Sequence, residues 1–140
     1  MIQGMSAPIE LLGLYLHLAH AANARRRWLV SDRFLVLAAA LAEQIRLTPI
    51  AECCRAKVLT HNPGHMFSRW TTVAAALAEP DFHLLLNQLL RRYNREKAEQ
   101  LLHSLGIERG AERAAYYSDG EYAAALLGAD WADLQQQFGS

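Results

Sequence analysis

The chain is poor in the residues that build β-sheets. It has 13 β-branched residues among 140, against 24 alanines and 23 leucines. Because alanine and leucine are the commonest helix formers, whereas Val, Ile and Thr favour strands, this composition predicts an all-α fold. The length suits a single domain, since one domain commonly holds roughly 100 to 200 residues.

Net charge and disulfide-forming cysteines are also lacking. Fourteen basic and fourteen acidic side chains cancel at pH 7, which excludes a strongly basic nucleic-acid coat protein and an acidic disordered tail. The two cysteines, Cys53 and Cys54, are adjacent, so they cannot link distant parts of the chain, and a vicinal disulfide would be strained. We therefore expect the reducing cytoplasm.

Long hydrophobic runs and catalytic signatures are missing as well. Residues 9–22 are interrupted by Glu10, His17 and His20, and the run over 34–42 falls far short of the roughly 20 apolar residues that span a bilayer. The sequence contains no Gly-x-Ser-x-Gly motif and no Gly-rich phosphate loop. We therefore predict no membrane association, no catalytic residues and no organic cofactor, and the sequence leans against an enzyme.

Helical periodicity and capping signals divide the first half of the chain. After Ser6 and Pro8, apolar residues follow one helical arc, and this first helix is expected to end near residues 25–27. Ser31 is expected to cap a second helix over 32–47, whose run 34–42 is apolar on all sides and suits the centre of a bundle. A third helix starts at Thr48 and ends before Pro63.

The second half follows the same rules. The signals predict a short helix over 72–78, a helix over 81–93, one capped by Asn94 and stopped at Gly106, one after Ser118, and a last turn after Asp130. The expected architecture is a compact bundle of stacked helical hairpins with about five to seven helices. We predict a single domain over residues 1–140, within which residues 108–140 are expected to form a C-terminal helical arm.

Residues 32–65 read as two short helices that close on a proline turn at 59–65. This segment resembles one tetratricopeptide repeat, because Ala39 and Ala51 lie where that repeat has small residues. Arg55 and Ala42 stand where the repeat usually has aromatic residues. The resemblance implies a helical hairpin and a function in protein interaction.

Six histidines raise the question of a metal site. His17 and His20 share a helix face with Glu10, but Glu10 lies seven residues before His17, roughly 10 Å along the axis and too far for one ion. A second element would have to complete the site, and His61 and His65 are the candidates. The alternative function is therefore a metal-binding protein or metalloenzyme that holds a divalent cation through His17, His20, His61 and His65. In the commoner alternative, His61 bonds the carbonyls that end its own helix.

Two segments pair arginine with an aromatic residue and are candidate partner-binding sites: Arg25, Arg26, Arg27 and Trp28 in the first, and Arg91, Arg92 and Tyr93 in the second. Such segments occur on surfaces that bind nucleic acid. Both segments fall in the last turn of an expected helix, where the macrodipole favours cations anyway. The zero net charge disfavours nucleic acid as a partner, so nucleic-acid binding ranks third.

Aromatic residues crowd the last 25 positions: Tyr116, Tyr117, Tyr122, Trp131 and Phe138. This density fits an arm that packs on its own bundle or on a neighbouring molecule, with intramolecular packing as the default.

The zero net charge is a cancellation between two halves. Residues 1–78 carry eight basic and four acidic side chains, and residues 79–140 carry six basic and ten acidic ones. Two copies would thus pair head to tail if the fold keeps the halves apart. The sequence predicts a helical protein-interaction or scaffold module, expected to be a homodimer.

Overall fold

The computed structural model describes residues 7–108 and 112–139, and within them it contains helices and their connections but no β-strand. The α-helices are α1 (Ala7–Ala24), α2 (Trp28–Gln44), α3 (Thr48–His61), α4 (Val73–Leu77), α5 (Pro80–Arg92), α6 (Arg95–Ser104), α7 (Asp119–Leu126) and α8 (Trp131–Phe138). Two 3-10 turns, Met66–Arg69 and Glu112–Ala115, lie before α4 and before α7. The all-α class predicted from composition is confirmed. The described residues form eight α-helices rather than five to seven, because the turn expected after Asp130 continues for eight residues.

Helices α1, α2 and α3 form the centre of the bundle. Helix α2 packs against both α1 and α3, and its residues from Phe34 to Ala42 are buried, apart from the partly buried Leu41. A helix that is apolar on every side is stable only where neighbours cover all of its faces. The expected central position of this segment is confirmed.

The connections within this core are short because α1 and α2 each end near an arginine in the left-handed conformation. Arg26 has a φ of 59° and Arg46 a φ of 66°. The backbone N–H of Arg27 donates to the carbonyl of Ala22, and Leu47 makes the corresponding bond at the end of α2. These bonds satisfy carbonyls that a helix end otherwise leaves unpaired. Short connections of this kind make consecutive helices pack side by side and antiparallel.

The second helix begins earlier than predicted. Helix α2 starts at Trp28, so Ser31 lies inside it and does not cap it. Ser31 is buried, and its hydroxyl donates to the carbonyl of Ala19 in α1 at 3.1 Å. Because the tight turn at Arg26 ends α1, α2 starts only two residues later. Ser31, the expected cap, therefore lies inside α2 and links this helix to α1.

The remaining helices cover this core. Helices α4 and α5 contact α2, α6 and α7 contact α1, and α8 contacts α3. The predicted N-caps Asn94, Ser118 and Asp130 are confirmed, since each side chain accepts a backbone hydrogen bond at the start of its helix. Gly106 ends α6 with a φ of 75°, as expected. In the part of the chain described, no helix has both the length and the apolar content needed to cross a lipid bilayer.

Candidate functional site

The first candidate surface is the tight turn between α1 and α2. Residues 25–29, which we call the basic edge, are all exposed. Leu29 is 69% exposed and Trp28 is 45% exposed. The Trp28 ring packs against the imidazole of His61 with their centroids 5.3 Å apart, so the indole is held in place while much of it still faces solvent.

The second arginine segment, at the end of α5, is built differently. Arg91 and Arg92 are exposed, and the Arg92 guanidinium lies 5.6 Å from the centre of the Tyr93 ring. Tyr93 itself is tied to the core, because its carbonyl accepts a hydrogen bond from the Tyr15 hydroxyl at 2.7 Å and its ring packs on Phe34. No hydrogen bond or ring contact between described residues joins this segment to the basic edge. Tyr93 is therefore a partly buried residue packed against the core and not a free stacking platform.

A second surface lies on the acidic half, between α7, α8 and the segment before them. Its pocket has a volume of about 530 Å³ and is lined by two aromatic rings, two carboxylates and one amide: Tyr116, Trp131, Glu121, Asp130 and Gln135. We call it the acidic pocket. Tyr117, the neighbour of Tyr116 in sequence, is 98% exposed.

Local hydrogen bonds hold the two carboxylates of the acidic pocket. Glu121 accepts a hydrogen bond from the backbone N–H of Tyr117 at 3.2 Å. Asp130 caps α8 by accepting from the N–H of Asp133 at 3.1 Å. Both acids therefore sit at helix N-termini, where the macrodipole stabilises negative charge. The sequence predicts the starts of these two helices, but it does not predict that the two carboxylates lie beside the aromatic rings.

Helix α7 and Trp131 are in close contact because residue 120 is glycine. A side chain at Gly120 would collide with the indole of Trp131. The indole is partly buried and packs against the core, while Tyr122 is almost fully buried. The aromatic crowding thus divides into rings that pack within the molecule, such as Tyr122, and the outward-facing ring of Tyr117.

His17 is the first of the four candidate metal ligands. Its Nε2 lies 2.7 Å from Oε1 of Glu112, and the same oxygen accepts a hydrogen bond from the Tyr122 hydroxyl at 2.7 Å. His17 thereby fastens α1 to the segment that leads into α7. Its partner is a carboxylate from 95 residues away, not another histidine.

His61, the last residue of α3, is paired with a buried acid. Its Nδ1 lies 2.7 Å from Oδ1 of Asp32, and Asp32 is only 5% exposed. This contact uses Nδ1 and leaves Nε2 to accept or donate elsewhere. The expectation that His61 bonds the carbonyls of its own helix is wrong, because α2 brings Asp32 within reach of the ring.

His65 and His20 complete the set. His65 Nδ1 accepts a hydrogen bond from the backbone N–H of Phe67 at 3.0 Å. Burial lowers the pKa of His65, and the Asp32 carboxylate offsets part of that shift. His20 is exposed on α1 and lines the same cleft as His61.

The described residues do not assemble a metal centre from these histidines. Within residues 7–108 and 112–139, no three His, Cys, Asp or Glu side chains cluster closely enough to hold an ion. The structure brings His20 and His61 to one cleft, whereas His17 binds Glu112 and His65 binds a backbone N–H.

The two cysteines are packing residues of α3. Cys53 and Cys54 are free thiols and both are buried. Burial raises the pKa of both thiols. Because the thiolate is the reactive form, both side chains are kept in their unreactive state.

Comparisons with protein-family models, with curated proteins and with solved structures give no match to this chain. Its function therefore has to be inferred from its own surfaces.

Proposed function

We propose that the protein is a helical interaction module whose partner is a second copy of itself. The basic edge of one copy binds the acidic pocket of the other, and the pair repeats the contact in the opposite direction. The observation that carries this proposal is the complementarity of the two surfaces. One presents Arg25, Arg26, Arg27 and Trp28 to solvent, and the other presents two carboxylates beside two aromatic rings.

Arginine has the chemistry that this pocket requires. Its planar guanidinium donates paired hydrogen bonds to a carboxylate and also stacks on aromatic faces. Glu121 and Asp130 supply the carboxylates, and Tyr116 and Trp131 supply the rings. A cation over such a ring contributes about 0.5–2 kcal/mol, more as water is excluded.

Exposed apolar groups within the basic edge and beside the acidic pocket add contact area. Leu29 and Trp28 flank the arginines, and Tyr117 stands next to the pocket. Trp, Tyr and Arg are the residues most enriched among those that dominate the energy of protein interfaces. Arginine pairing would therefore set the orientation of the two copies, and the apolar groups would contribute affinity.

Two further features support an interaction role. The resemblance of residues 32–65 to a tetratricopeptide hairpin agrees with it, since such hairpins commonly bind proteins. We also propose a cytoplasmic location, which the two free, buried thiols of α3 support.

The test is light scattering on size-separated protein at micromolar concentrations. We expect a dimer at about 50 mM salt and a shift towards monomer at about 500 mM, because salt screens exposed charge pairs. The double variant Glu121→Gln with Asp130→Asn removes both pocket charges, but its amide oxygens still accept the N–H bonds of Tyr117 and Asp133. We expect this variant to dimerise at least about tenfold more weakly, the equivalent of about 1.4 kcal/mol, with unchanged helix content.

The matched control removes two negative charges from α6. The variant Glu96→Gln with Glu99→Gln changes the net charge equally, outside the pocket, and should dimerise like the natural chain. A monomer at every concentration and salt level would refute the proposal. Equal weakening in both double variants would show that overall charge, and not the acidic pocket, controls association.

A further inference from the structure

We infer that the cleft between α1, α2, α3 and the end of α7 is a binding site for a small organic anion with an apolar body. The cleft has a volume of about 300 Å³, at the lower end of the roughly 300–1,000 Å³ typical of small-molecule sites. This site is separate from the acidic pocket and goes beyond the proposed self-association.

One side of the cleft is apolar. Leu16 and Leu35 are buried at its base, and Leu126 and Leu127 from the end of α7 are partly buried beside it. These four leucines come from three different helices. They form a wall that favours the hydrocarbon part of a ligand, since moving apolar surface out of water is favourable.

The other side of the cleft presents groups that favour an anion. His20, Asn23 and Lys57 line it, and none of these side chains forms a hydrogen bond with another residue that the structure describes. The Lys57 ammonium and the Asn23 amide are hydrogen-bond donors, and an imidazole donates from its protonated nitrogen. Three polar groups thus line the cleft without a hydrogen-bond partner in the described part of the chain.

The hydroxyls in the cleft are already used. Ser31 donates to the carbonyl of Ala19 at 3.1 Å, and Thr60 donates to the carbonyl of Ala56 at 2.9 Å. They are therefore no longer available as donors, and they are not poised as nucleophiles.

The sign of the ligand charge follows from where the nearest acid lies. Among the residues that the structure describes, no carboxylate lines the cleft. Asp32 is buried and bonded to Nδ1 of His61. This pair fixes the imidazole, and Trp28 packs on the same ring. A carboxylate head would therefore meet Lys57 and the free edge of His61, with its hydrocarbon on the leucine wall.

The chain offers a matched control because it contains only two lysines, Lys57 and Lys97. Both are exposed, and Lys97 lies on α6, where its amine donates to the carbonyl of Arg91. Methionine keeps most of the aliphatic side chain and is a good helix former, so Lys57→Met and Lys97→Met should both fold normally.

The experiment is calorimetric titration of the full chain with octanoate, octanol and octylammonium. We expect saturable binding of one octanoate per chain, at least about tenfold weaker binding of octanol, and no binding of octylammonium. Lys57→Met should weaken octanoate binding by about tenfold, the loss of one charge-assisted hydrogen bond, whereas Lys97→Met should leave it unchanged. In NMR spectra, octanoate should shift the ring signals of His61 but not those of the exposed His103.

Two results would overturn the inference. Equal affinity for octanol and octanoate would show that the cleft binds apolar molecules irrespective of their charge. An unchanged octanoate affinity in Lys57→Met, or no saturable binding at millimolar octanoate, would remove the anion site. Lys57 lies outside the basic edge and the acidic pocket, so light scattering of Lys57→Met separates failure of this site from failure of self-association.

Discussion

The carboxylate of Glu52 caps α4 although it belongs to α3. Its Oε2 accepts a hydrogen bond of 2.7 Å from the backbone N–H of Val73, the first residue of α4. Glu52 is only 7% exposed, and its other oxygen lies 3.9 Å from the guanidinium of Arg55. Arg55 in turn donates to the carbonyl of Trp70 at 2.5 Å. Two charged side chains of α3 thereby anchor the connection that leads into α4.

Glu52→Ala should lower the free energy of unfolding by about 2–4 kcal/mol. The substitution leaves the buried N–H of Val73 without an acceptor and removes the negative charge beside Arg55. Glu52→Gln keeps an acceptor oxygen and should cost only about 1 kcal/mol. Urea unfolding followed by circular dichroism measures both values. Equal losses would mean that the charge of Glu52, and not its hydrogen bond, stabilises the connection.

Arg26→Gly and Arg46→Gly should each raise stability by about 0.5–1 kcal/mol, because glycine adopts a positive φ without the steric cost paid by other residues. Thermal unfolding measures this gain. The two variants should differ in association, since Arg26 belongs to the basic edge and Arg46 does not. Light scattering should show weaker dimerisation for Arg26→Gly alone. Unchanged dimerisation of a stabilised Arg26→Gly would place Arg26 outside the interface.

Gly13→Ala should destabilise the fold by about 1–3 kcal/mol, even though alanine is the better helix former. A methyl group at residue 13 would collide with the hydroxyl of Tyr122 and approach two of its ring carbons to 3.0 Å. Tyr122 is 2% exposed and its hydroxyl is bonded to Glu112, so the ring has little room to withdraw. Gly64→Ala is the control, since the nearest atom there is Oδ1 of Asn62 at 3.6 Å. Similar melting temperatures for both variants would show that α7 shifts freely on α1.

The stability of the fold should fall as the pH drops below about 6.5, the ordinary pKa of histidine. Burial lowers the pKa of His65 in the folded chain, so the unfolded chain takes up this proton at a higher pH. The contribution of neutral His65 to the free energy of unfolding is therefore intact above about pH 6.5. It is lost as the pH falls towards and through the pKa of His65 in the folded chain. A protonated ring also cannot accept the N–H of Phe67 at Nδ1.

Urea unfolding at about pH 7.5 and about pH 5, on either side of the ordinary histidine pKa, measures this loss of stability. His65→Asn keeps an acceptor that does not titrate, so it should reduce the difference between the two pH values. His83→Asn changes an exposed histidine of α5 and should leave the difference as it is. An identical pH dependence in His65→Asn and the natural chain would exclude His65 as its source.

Most helix boundaries were predictable because their signals are local. Pro49 lies in the first turn of α3, Asn94 caps α6, and Gly106 ends it, each acting on backbone groups within a few residues. Ser31 follows the same local rule for a cap but lies within α2. The start of α2 depends on the tight turn at Arg26, and no capping residue in the sequence marks this start.

The candidate sites were less predictable because their parts come from distant positions. His61 was expected to bond the carbonyls of its own helix, but Asp32, which fixes its ring, lies 29 residues earlier. The crowding of aromatic residues near the C-terminus indicated the region of the acidic pocket. The pocket itself forms only when α7 and α8 bring Glu121 and Trp131 together. Helix packing, which residue spacing does not encode, decides both arrangements.

The packing of α7 against α1 and of α8 against α3 affects how the chain folds during its synthesis. Helices α1 to α3 pack through contacts between sequence neighbours, so they can assemble early as the chain leaves the ribosome. The faces of α1 and α3 that α7 and α8 cover stay open until those last helices have been made. A nascent chain that stalls before α8 therefore exposes apolar surface of its central helices, which makes it a substrate for chaperones and prone to aggregation.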